Sequence, residues 1–195
     1  MPEKYHHGNL RAALIQEGVK LVEESGVNAL TLRQIADRAG VSRTAPYRHF
    51  GEKADLLAAI REAGFSAFAD SLEAARDAAG AGFTARFEAV GLAYLRFSEE
   101  HRAYFEVMFG AGCARNGTEE DTAGRRAFEV LEGLIREGQA MREFRAGDPN
   151  MMARVVWAMS HGIAVLRFET DYSAEGAGTR FLQFAARILR EGLGV

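Results

Sequence analysis

The sequence predicts an all-α protein, and three observations lead to that prediction. Apolar residues recur three and four positions apart through most of the 195 residues, which places them on one face of an α-helix. Alternating apolar and polar runs, which would indicate strands, are scarce, and there are three prolines. Hydrophobic residues make up 48% of the chain, enough to bury a substantial core, so we expect a small and a larger helical domain.

The first predicted helix begins after Asn9, a residue type that caps helix N-termini, and ends near Gly26. Its apolar face consists of Leu10, Leu14, Leu21 and Val22. A short arm, Tyr5-His6-His7-Gly8, precedes it. Adjacent histidines rarely ligate one metal together, and no cysteine or carboxylate partner is evident, so we predict no metal site. Disorder and a phosphate contact both remain open for the arm.

Residues 31–53 predict two short helices joined by a tight turn, followed by the start of a third. Thr31 and Gln34 have the spacing of a capping box at the start of the first helix. Gly40 can adopt the left-handed backbone that ends this helix, and Val41 then packs inward. This arrangement is a helix-turn-helix.

The second helix of the motif is predicted to carry a polar surface. Ser42 or Thr44 can cap it, and Pro46 fits only near its first turn. Five of its side chains can reach phosphates or base edges: Arg43, Thr44, Tyr47, Arg48 and His49. The alternative is an ordinary helical hairpin with a polar face.

The rest of the chain predicts a series of further helices. Their approximate ranges are 53–78, 84–99, 104–109, 122–140, 149–168 and 179–193. Residues 110–121 are rich in glycine and acidic residues and predict a loop, which holds the single cysteine, Cys113. One cysteine excludes an intrachain disulfide and fits a reducing compartment; a redox role for it stays open.

The distribution of charge favours a protein that docks one end on nucleic acid. The net charge is −3, yet residues 1–53 hold eight Lys and Arg against six Asp and Glu, whereas residues 54–195 hold 16 against 21. Within 31–50 the counts are four against one. An architectural DNA protein would be basic throughout, so that class is excluded.

An enzyme is also excluded, because the sequence has no phosphate-binding loop and no paired carboxylates on an apolar face with a histidine nearby. We predict no cofactor. The N-terminus lacks the apolar core of a signal peptide, and the apolar run 155–166 is too short to span a bilayer. The expected location is therefore the cytoplasm.

The helix-turn-helix resembles the DNA-binding domain of the TetR family of bacterial transcriptional regulators. The shared pattern, T-x-R-x-I-A-x-x-A-G-V-S-x-x-x-x-Y-x-H-F-x-x-K-x-x-L, extends from Thr31 through Leu56. Pro46 is a departure from the family, since many members have an ordinary apolar residue at this position. We therefore expect a DNA-binding domain at 1–52 and a helical effector-binding and dimerisation domain at 53–195. The expected DNA contacts are Thr31, Arg33, Ser42, Arg43, Thr44, Ala45, Tyr47, Arg48, His49 and Lys53.

A second resemblance lies near the C-terminus. Trp157, His161 and Gly162, preceded by YFEVMF at 104–109, resemble a branch of the family with a spaced Trp–His-Gly signature. The segments 149–168 and 178–192 are too apolar for the surface of a monomer, and the resemblance implies that they form a four-helix homodimer interface.

The family resemblance further implies a small-molecule inducer bound in the larger domain. A hydrophobic ligand is expected, with His161 or Arg96 as its polar anchor. Candidate ligand contacts are Phe65, Phe68, Phe87, Tyr94, Phe97, Phe105, Met108, Trp157 and His161. Each aromatic or Met residue is alternatively plain core, and His161 is alternatively a satisfied core histidine.

The expected function is a dimeric repressor that a hydrophobic ligand releases from a palindromic operator. The alternative is a dimeric DNA-binding regulator without a small-molecule effector, controlled by a protein partner or by its own level. The sequence leaves the ligand, the operator, the regulated genes and the choice between repression and activation open.

Overall fold

The computed structural model describes residues 10–110 and 122–169 and, beyond them, 180, 183–185, 187, 188, 191 and 192. Its α-helices are α1 (Leu10–Ser25), α2 (Leu32–Arg38), α3 (Lys53–Ala78), α4 (Phe83–Glu100), α5 (Arg102–Phe109), α6 (Thr122–Ala140) and α7 (Pro149–Glu169). Short 3₁₀ turns occupy Val27–Ala29 and Pro46–Arg48. The all-α prediction is confirmed. Asn9, the arm 5–8 and Cys113 lie outside the described residues.

By internal packing the chain forms two compact units. Residues 10–64 and 101–110 belong to the first unit, and residues 65–100 and 122–169 belong to the second. The division falls within the continuous helix α3, and α5 packs with the first unit. The predicted functional boundary between residues 52 and 53 is a different division and stays a prediction.

The first unit has its own hydrophobic core, built from the apolar faces of α1, α2 and the first half of α3. Leu14, Ile35, Leu56 and Ile60 are fully buried there. Gly18 allows the close approach of α1, because a Cβ at that position would lie 2.8 Å from Ile60 Cδ1.

Ion pairs at the surface of the first unit tie α2 to α1. Arg38 donates to the Glu24 carboxylate at 2.7 and 2.8 Å and to Glu17 at 3.2 Å. These charge-assisted bonds add to the burial of Leu32, Ile35 and Ala36 in holding α2 against α1.

The second unit has an aromatic core formed by α3, α4, α6 and α7. Phe68 lies at its centre, with its ring centroid 5.0 Å from those of Tyr94 and Phe97 and 5.8 Å from that of Trp157. Edge-on and tilted packing of this kind adds to the free energy of burial. An ion pair holds α6 against α3, because Arg126 Nε donates to Glu73 at 2.9 Å.

Helix α7 is apolar around most of its circumference, and the structure buries only part of it. Ala153, Val156, Ser160, Ile163 and Ala164 form the buried side. On another side the described chain leaves Met151, Val155 and Leu166 at least half exposed. Spacings of three and four residues alone would place Val155, Val156, Ile163 and Leu166 in one apolar stripe. The structure separates them, because such spacing on a helix that is apolar all round does not identify the covered side.

None of the described helices combines the length and the hydropathy needed to cross a membrane.

Candidate DNA interface and effector cavity

The start of α2 is capped as the sequence predicts. Thr31 Oγ1 accepts the backbone N–H of Gln34 at 3.2 Å, and its hydroxyl donates to Gln34 Oε1 at 2.7 Å. The helix ends at Gly40, whose φ of 66° is left-handed. The backbone N–H of Val41 then donates to the Ala36 carbonyl at 3.1 Å, which closes a Schellman turn.

The second helix of the motif differs from the prediction, because it is not an α-helix. In the structure its only regular part is the 3₁₀ turn Pro46–Arg48. The N–H groups of Ala45, Arg48 and His49 each bond the carbonyl three residues earlier. Pro46 explains this, because it has no N–H to bond the Ser42 carbonyl and its ring crowds that carbonyl in an α-helix.

The recognition segment, residues 42–49, presents polar side chains over two buried anchors. Pro46 and Phe50 are buried, whereas Tyr47 is 57% exposed. Seven further predicted contacts are also exposed: Thr31, Arg33, Ser42, Arg43, Thr44, Arg48 and His49. Ala45 and Lys53 are half-buried. A surface of this composition can bond phosphates and base edges.

Two of the predicted DNA contacts have partners within the protein. Arg43 Nε lies 3.5 Å from Asp37 Oδ1, and both side chains are more than half exposed, so the pair is weak. The Lys53 ammonium donates to the carbonyls of Val27 at 2.8 Å and Asn28 at 3.2 Å. Lys53 thus holds the turn before α2 and has one remaining N–H for a phosphate.

A cavity lies within the second unit. Its volume is about 60 Å³, which is smaller than an engineered cavity of about 150 Å³ that accepts benzene. A ligand larger than a few waters therefore requires its walls to move. Its lining consists of Leu72, Phe87, Glu88, Val90, Gly91, Leu92, Tyr94, Leu131, Val156, Trp157, Met159, Ser160, Ile163, Gln183 and Ala185.

Only some of the predicted ligand contacts line this cavity: Phe87, Tyr94 and Trp157. The other predicted aromatic residues of the second unit, Phe65, Phe68 and Phe97, are buried in its core and are not among the described lining residues. Phe105 and Met108 are buried in the first unit, and Arg96 is exposed and outside the lining. The aliphatic lining was missed because Leu, Val and Ile at helical spacing have the same pattern in a cavity wall and in a core.

His161 stands behind the cavity wall and is bonded to it through Tyr94. The Tyr94 hydroxyl and His161 Nδ1 are 3.0 Å apart. Burial raises the pKa of the Tyr94 phenol, which keeps it protonated, and burial lowers the pKa of His161, which favours the neutral imidazole. The sequence posed a core role and a ligand-orienting role for His161, and this bond allows either one.

Protonation of His161 is expected to destabilise the fold. Its folded-state pKa lies below the ordinary 6.5, so the unfolded chain takes up this proton first as the pH falls. Above pH 6.5 we expect this group to leave the free energy of unfolding unchanged. As the pH falls from 6.5 through the folded pKa of His161, we expect its contribution to that free energy to be lost. Urea unfolding should show that the free energy of unfolding of His161→Gln decreases less than that of the wild type between neutral and mildly acidic pH. The same change at exposed His101 is the control, and equal slopes for wild type and His161→Gln would contradict the prediction.

No group of three or more His, Cys, Asp or Glu within the described ranges is arranged to hold a metal ion. The paired histidines His6 and His7 lie outside those ranges.

A helix-turn-helix with exposed cationic side chains, connected through one continuous helix to an all-helical unit, defines a DNA-binding regulator. A family model described as bacterial regulatory proteins, tetR family, matches residues 14–60, and one described as tetracyclin repressor-like, C-terminal domain, matches 87–191. The second match covers more than half of the chain. The chain therefore belongs to the TetR family of transcriptional regulators. The family is non-enzymatic, and its helix-turn-helix binds operator DNA.

The chain is also similar to individual proteins. Tetracycline repressor protein class C from Escherichia coli is 42% identical over 53 residues, which are 27% of this chain and 24% of that protein. The chain thus spans about a quarter of that relative's length. A protein with unknown function from Rhodococcus sp. RHA1 is 32% identical over 99% of this chain and 100% of its own, with a TM-score of 0.87. The TetR family regulator PfmR from Thermus thermophilus, 22% identical over 95% and 96%, shares the fold with a TM-score of 0.69.

Proposed function

We propose that the protein is a homodimeric repressor that a hydrophobic small molecule releases from a palindromic operator. One observation carries the proposal: the continuous helix α3 has both Leu72, a residue of the cavity wall, and Lys53, which bonds the turn before α2. These positions are about 28 Å apart along the helix axis at 1.5 Å per residue. A ligand that displaces Leu72 thereby acts on the helix that positions the DNA-binding elements.

The proposed dimer rests on the exposed side of α7. Met151 is 60% exposed, Val155 54% and Leu166 50%, and in the C-terminal segment Phe184 and Ile188 are 50% and 44% exposed. A row of large apolar side chains on the surface favours a protein interface. The interface that we propose comprises residues 149–168 and 178–192, and Gly162 lies on α7 with open space beside it.

A twofold dimer presents two recognition segments to one side of a DNA duplex. Helix-turn-helix dimers bind half-sites roughly 34–36 Å apart, or multiples of that spacing. Bound at a promoter, such a dimer excludes RNA polymerase, which makes repression the proposed mode. The proposal keeps the functional division into residues 1–52 and 53–195, and it places the chain in the branch with Trp157, His161 and Gly162.

Arg43 is the predicted base-reading residue with the clearest test. It is exposed, and its pairing with Asp37 is weak enough for a guanine to compete. We expect Arg43→Ala to lower operator affinity by about 1–3 kcal/mol and to relax selectivity at one base pair. Fluorescence anisotropy with the selected operator and single-base variants of it measures both effects. Unchanged affinity and selectivity would remove Arg43 from the reading residues.

Ligand release is tested with operator DNA and a panel of apolar compounds of different charge. A ligand shifts the equilibrium only if it binds the DNA-free arrangement more tightly than the DNA-bound one. We expect compounds that raise the melting temperature to release the operator in proportion to their affinity. If no compound in a broad panel does both, the alternative, a regulator controlled by a protein partner or its own level, is favoured.

A further inference from the structure

The helix-turn-helix contains one acidic residue, and its position is unfavourable in two ways. Asp37 is the only Asp or Glu within residues 31–50, a segment with four arginines. Its side chain is more than half exposed, so its charge repels the phosphates of DNA bound to this motif. It also lies in the last turn of α2, where the partial negative charge of the helix end disfavours an acid. A residue that is unfavourable locally is a candidate for a functional role.

The partner of this carboxylate is the residue to which the proposed function assigns base reading. Asp37 Oδ1 lies 3.5 Å from Arg43 Nε, across the turn between α2 and the recognition segment. Arg33 precedes Asp37 by about one helical turn, yet no ion pair joins these two within the described part of the chain. Arg38, the next residue, is bonded to carboxylates of α1. The charge of Asp37 therefore acts on Arg43.

The contact with Asp37 leaves the part of the guanidinium that a guanine needs. A guanidinium has five N–H groups in one plane, one at Nε and four at the two terminal nitrogens. Asp37 is nearest to Nε, and the terminal nitrogens of Arg43 form no hydrogen bond within the described ranges. Their N–H groups can donate to O6 and N7 of a guanine in the major groove. A guanine can thus bind Arg43 while Nε stays beside Asp37.

A carboxylate at Nε changes what an exposed arginine does on DNA. The long side chain loses rotamer freedom when a base fixes it, and it can turn to a phosphate instead of a base. The attraction to Asp37 restricts both, because it holds a rigid, planar group in one orientation. This attraction is weak between exposed side chains and becomes stronger where bound DNA excludes water. Specificity is a difference between two affinities, so a residue that weakens binding to other sequences contributes to it.

We propose that Asp37 determines the sequence specificity of the protein through Arg43. It holds the guanidinium at Nε so that the terminal nitrogens bond a guanine, and its charge weakens binding to DNA in general. Asp37 is a positioning residue, because it acts on the base only through Arg43. This role rests on the proposed function, in which Arg43 reads a base.

A double-mutant cycle tests the proposal with wild type, Asp37→Asn, Arg43→Ala and the double variant. Fluorescence anisotropy with the full chain measures affinity for three duplexes of equal length: an operator selected in vitro, the same operator changed at the base pair whose preference Arg43→Ala relaxes, and a random sequence. The ratio of the first two affinities measures discrimination at that base pair.

We expect Asp37→Asn to lower this ratio by about two- to fivefold, the upper part of the range for an exposed ion pair. The same variant should bind the random duplex more tightly, because a negative charge is removed. When Arg43 is already Ala, Asp37→Asn should leave the ratio unchanged and still tighten binding to the random duplex, since only the first effect passes through Arg43.

Two controls separate positioning from charge and from folding. Glu52→Gln removes one negative charge at another exposed position of the first unit, and we expect it to leave the ratio unchanged. The melting temperature of Asp37→Asn should not fall, because the change removes an acid from a helix C-terminus. A merely structural role of Asp37 would lower the melting temperature and weaken binding to all three duplexes alike.

Several outcomes would overturn the inference. If Asp37→Asn keeps the full ratio while Arg43→Ala loses it, Asp37 is an ordinary surface charge. If Asp37→Asn lowers the ratio equally with Arg43 and with Ala at that position, Asp37 acts on DNA directly. Equal weakening on all three duplexes also contradicts positioning. If Arg43→Ala relaxes no base preference, the inference fails together with the reading role of Arg43, whereas the proposed ligand-released repressor is decided separately by the operator-release panel.

Discussion

Gly162→Leu is expected to convert the proposed dimer to a monomer and to lower operator affinity by a factor of about 10²–10⁴, the gain from linking two binding heads. A Cβ at Gly162 would meet no atom of the described residues within 4 Å, apart from its chain neighbours and the backbone of its own helix. The first side-chain carbon therefore meets no described obstacle, and the substitution adds helix propensity of up to about 1 kcal/mol. A neighbouring helix that approaches closely at Gly162 would instead collide with the new side chain.

Gly133→Leu is the matched control for this experiment. Gly133 also lies inside a helix, α6, is exposed, and an added Cβ there would meet nothing within 4 Å among the described residues outside its own helix backbone. We expect this variant to sediment as a dimer and to bind the operator like the wild type. Sedimentation velocity at low micromolar concentration gives the oligomeric state. A wild type of 21.3 kDa, or a dimeric Gly162→Leu protein with full operator affinity, would contradict the proposed interface.

Most of the fold is predictable from the sequence, because its helices have strong periodicity and clear end signals. The structure gives α3 and α6 the ranges 53–78 and 122–140 that the sequence predicts, and α7 begins at Pro149 as predicted. Asp148 explains the last of these, since its carboxylate accepts the N–H of Asn150 at 2.9 Å. These signals are local, so they need no knowledge of tertiary contacts.

The recognition segment shows where local reasoning is insufficient. The family pattern around Tyr47 indicates an α-helix, whereas Pro46 removes the N–H that an α-helix would use. The family pattern thus predicts an α-helix, whereas Pro46 disfavours one. The structure has a 3₁₀ turn there, as Pro46 favours. The exposed positions of Arg43, Tyr47 and His49 nevertheless agree with the sequence prediction, because they depend on which residues are buried as anchors.

The location of the cavity could not be predicted, because the sequence gives residue types and spacing but not the location of empty space. Leu131, Val156 and Ile163 line the cavity, yet their pattern is that of any core residue. Lys53 illustrates the same limit for polar groups. Its bonds to the carbonyls of Val27 and Asn28 join residues more than 20 positions apart, which no local pattern reports.

Phe68→Ala is expected to lower the free energy of unfolding of the second unit by about 3–5 kcal/mol. Phe68 is fully buried, and its ring packs on Tyr94, Phe97 and Trp157. The sequence left open whether Phe68 is core or a ligand contact. If Phe68 is a core residue, its replacement destabilises the protein even when no ligand is present. Urea unfolding measures this, with Met141→Ala, a substitution at an exposed apolar residue, as the control.

The same variant also tests the position of Phe68 relative to the cavity. Tyr94 and Trp157 touch Phe68 and line the cavity as well, so removal of the ring is expected to enlarge the existing space. Enlarged apolar cavities bind benzene-sized molecules. Benzene should therefore raise the melting temperature of Phe68→Ala by more than that of the wild type. If Phe68→Ala is as stable as the wild type but binds ligand more weakly, Phe68 is a ligand contact. If the variant is destabilised and benzene does not raise its melting temperature, the space left by Phe68 is not part of the cavity.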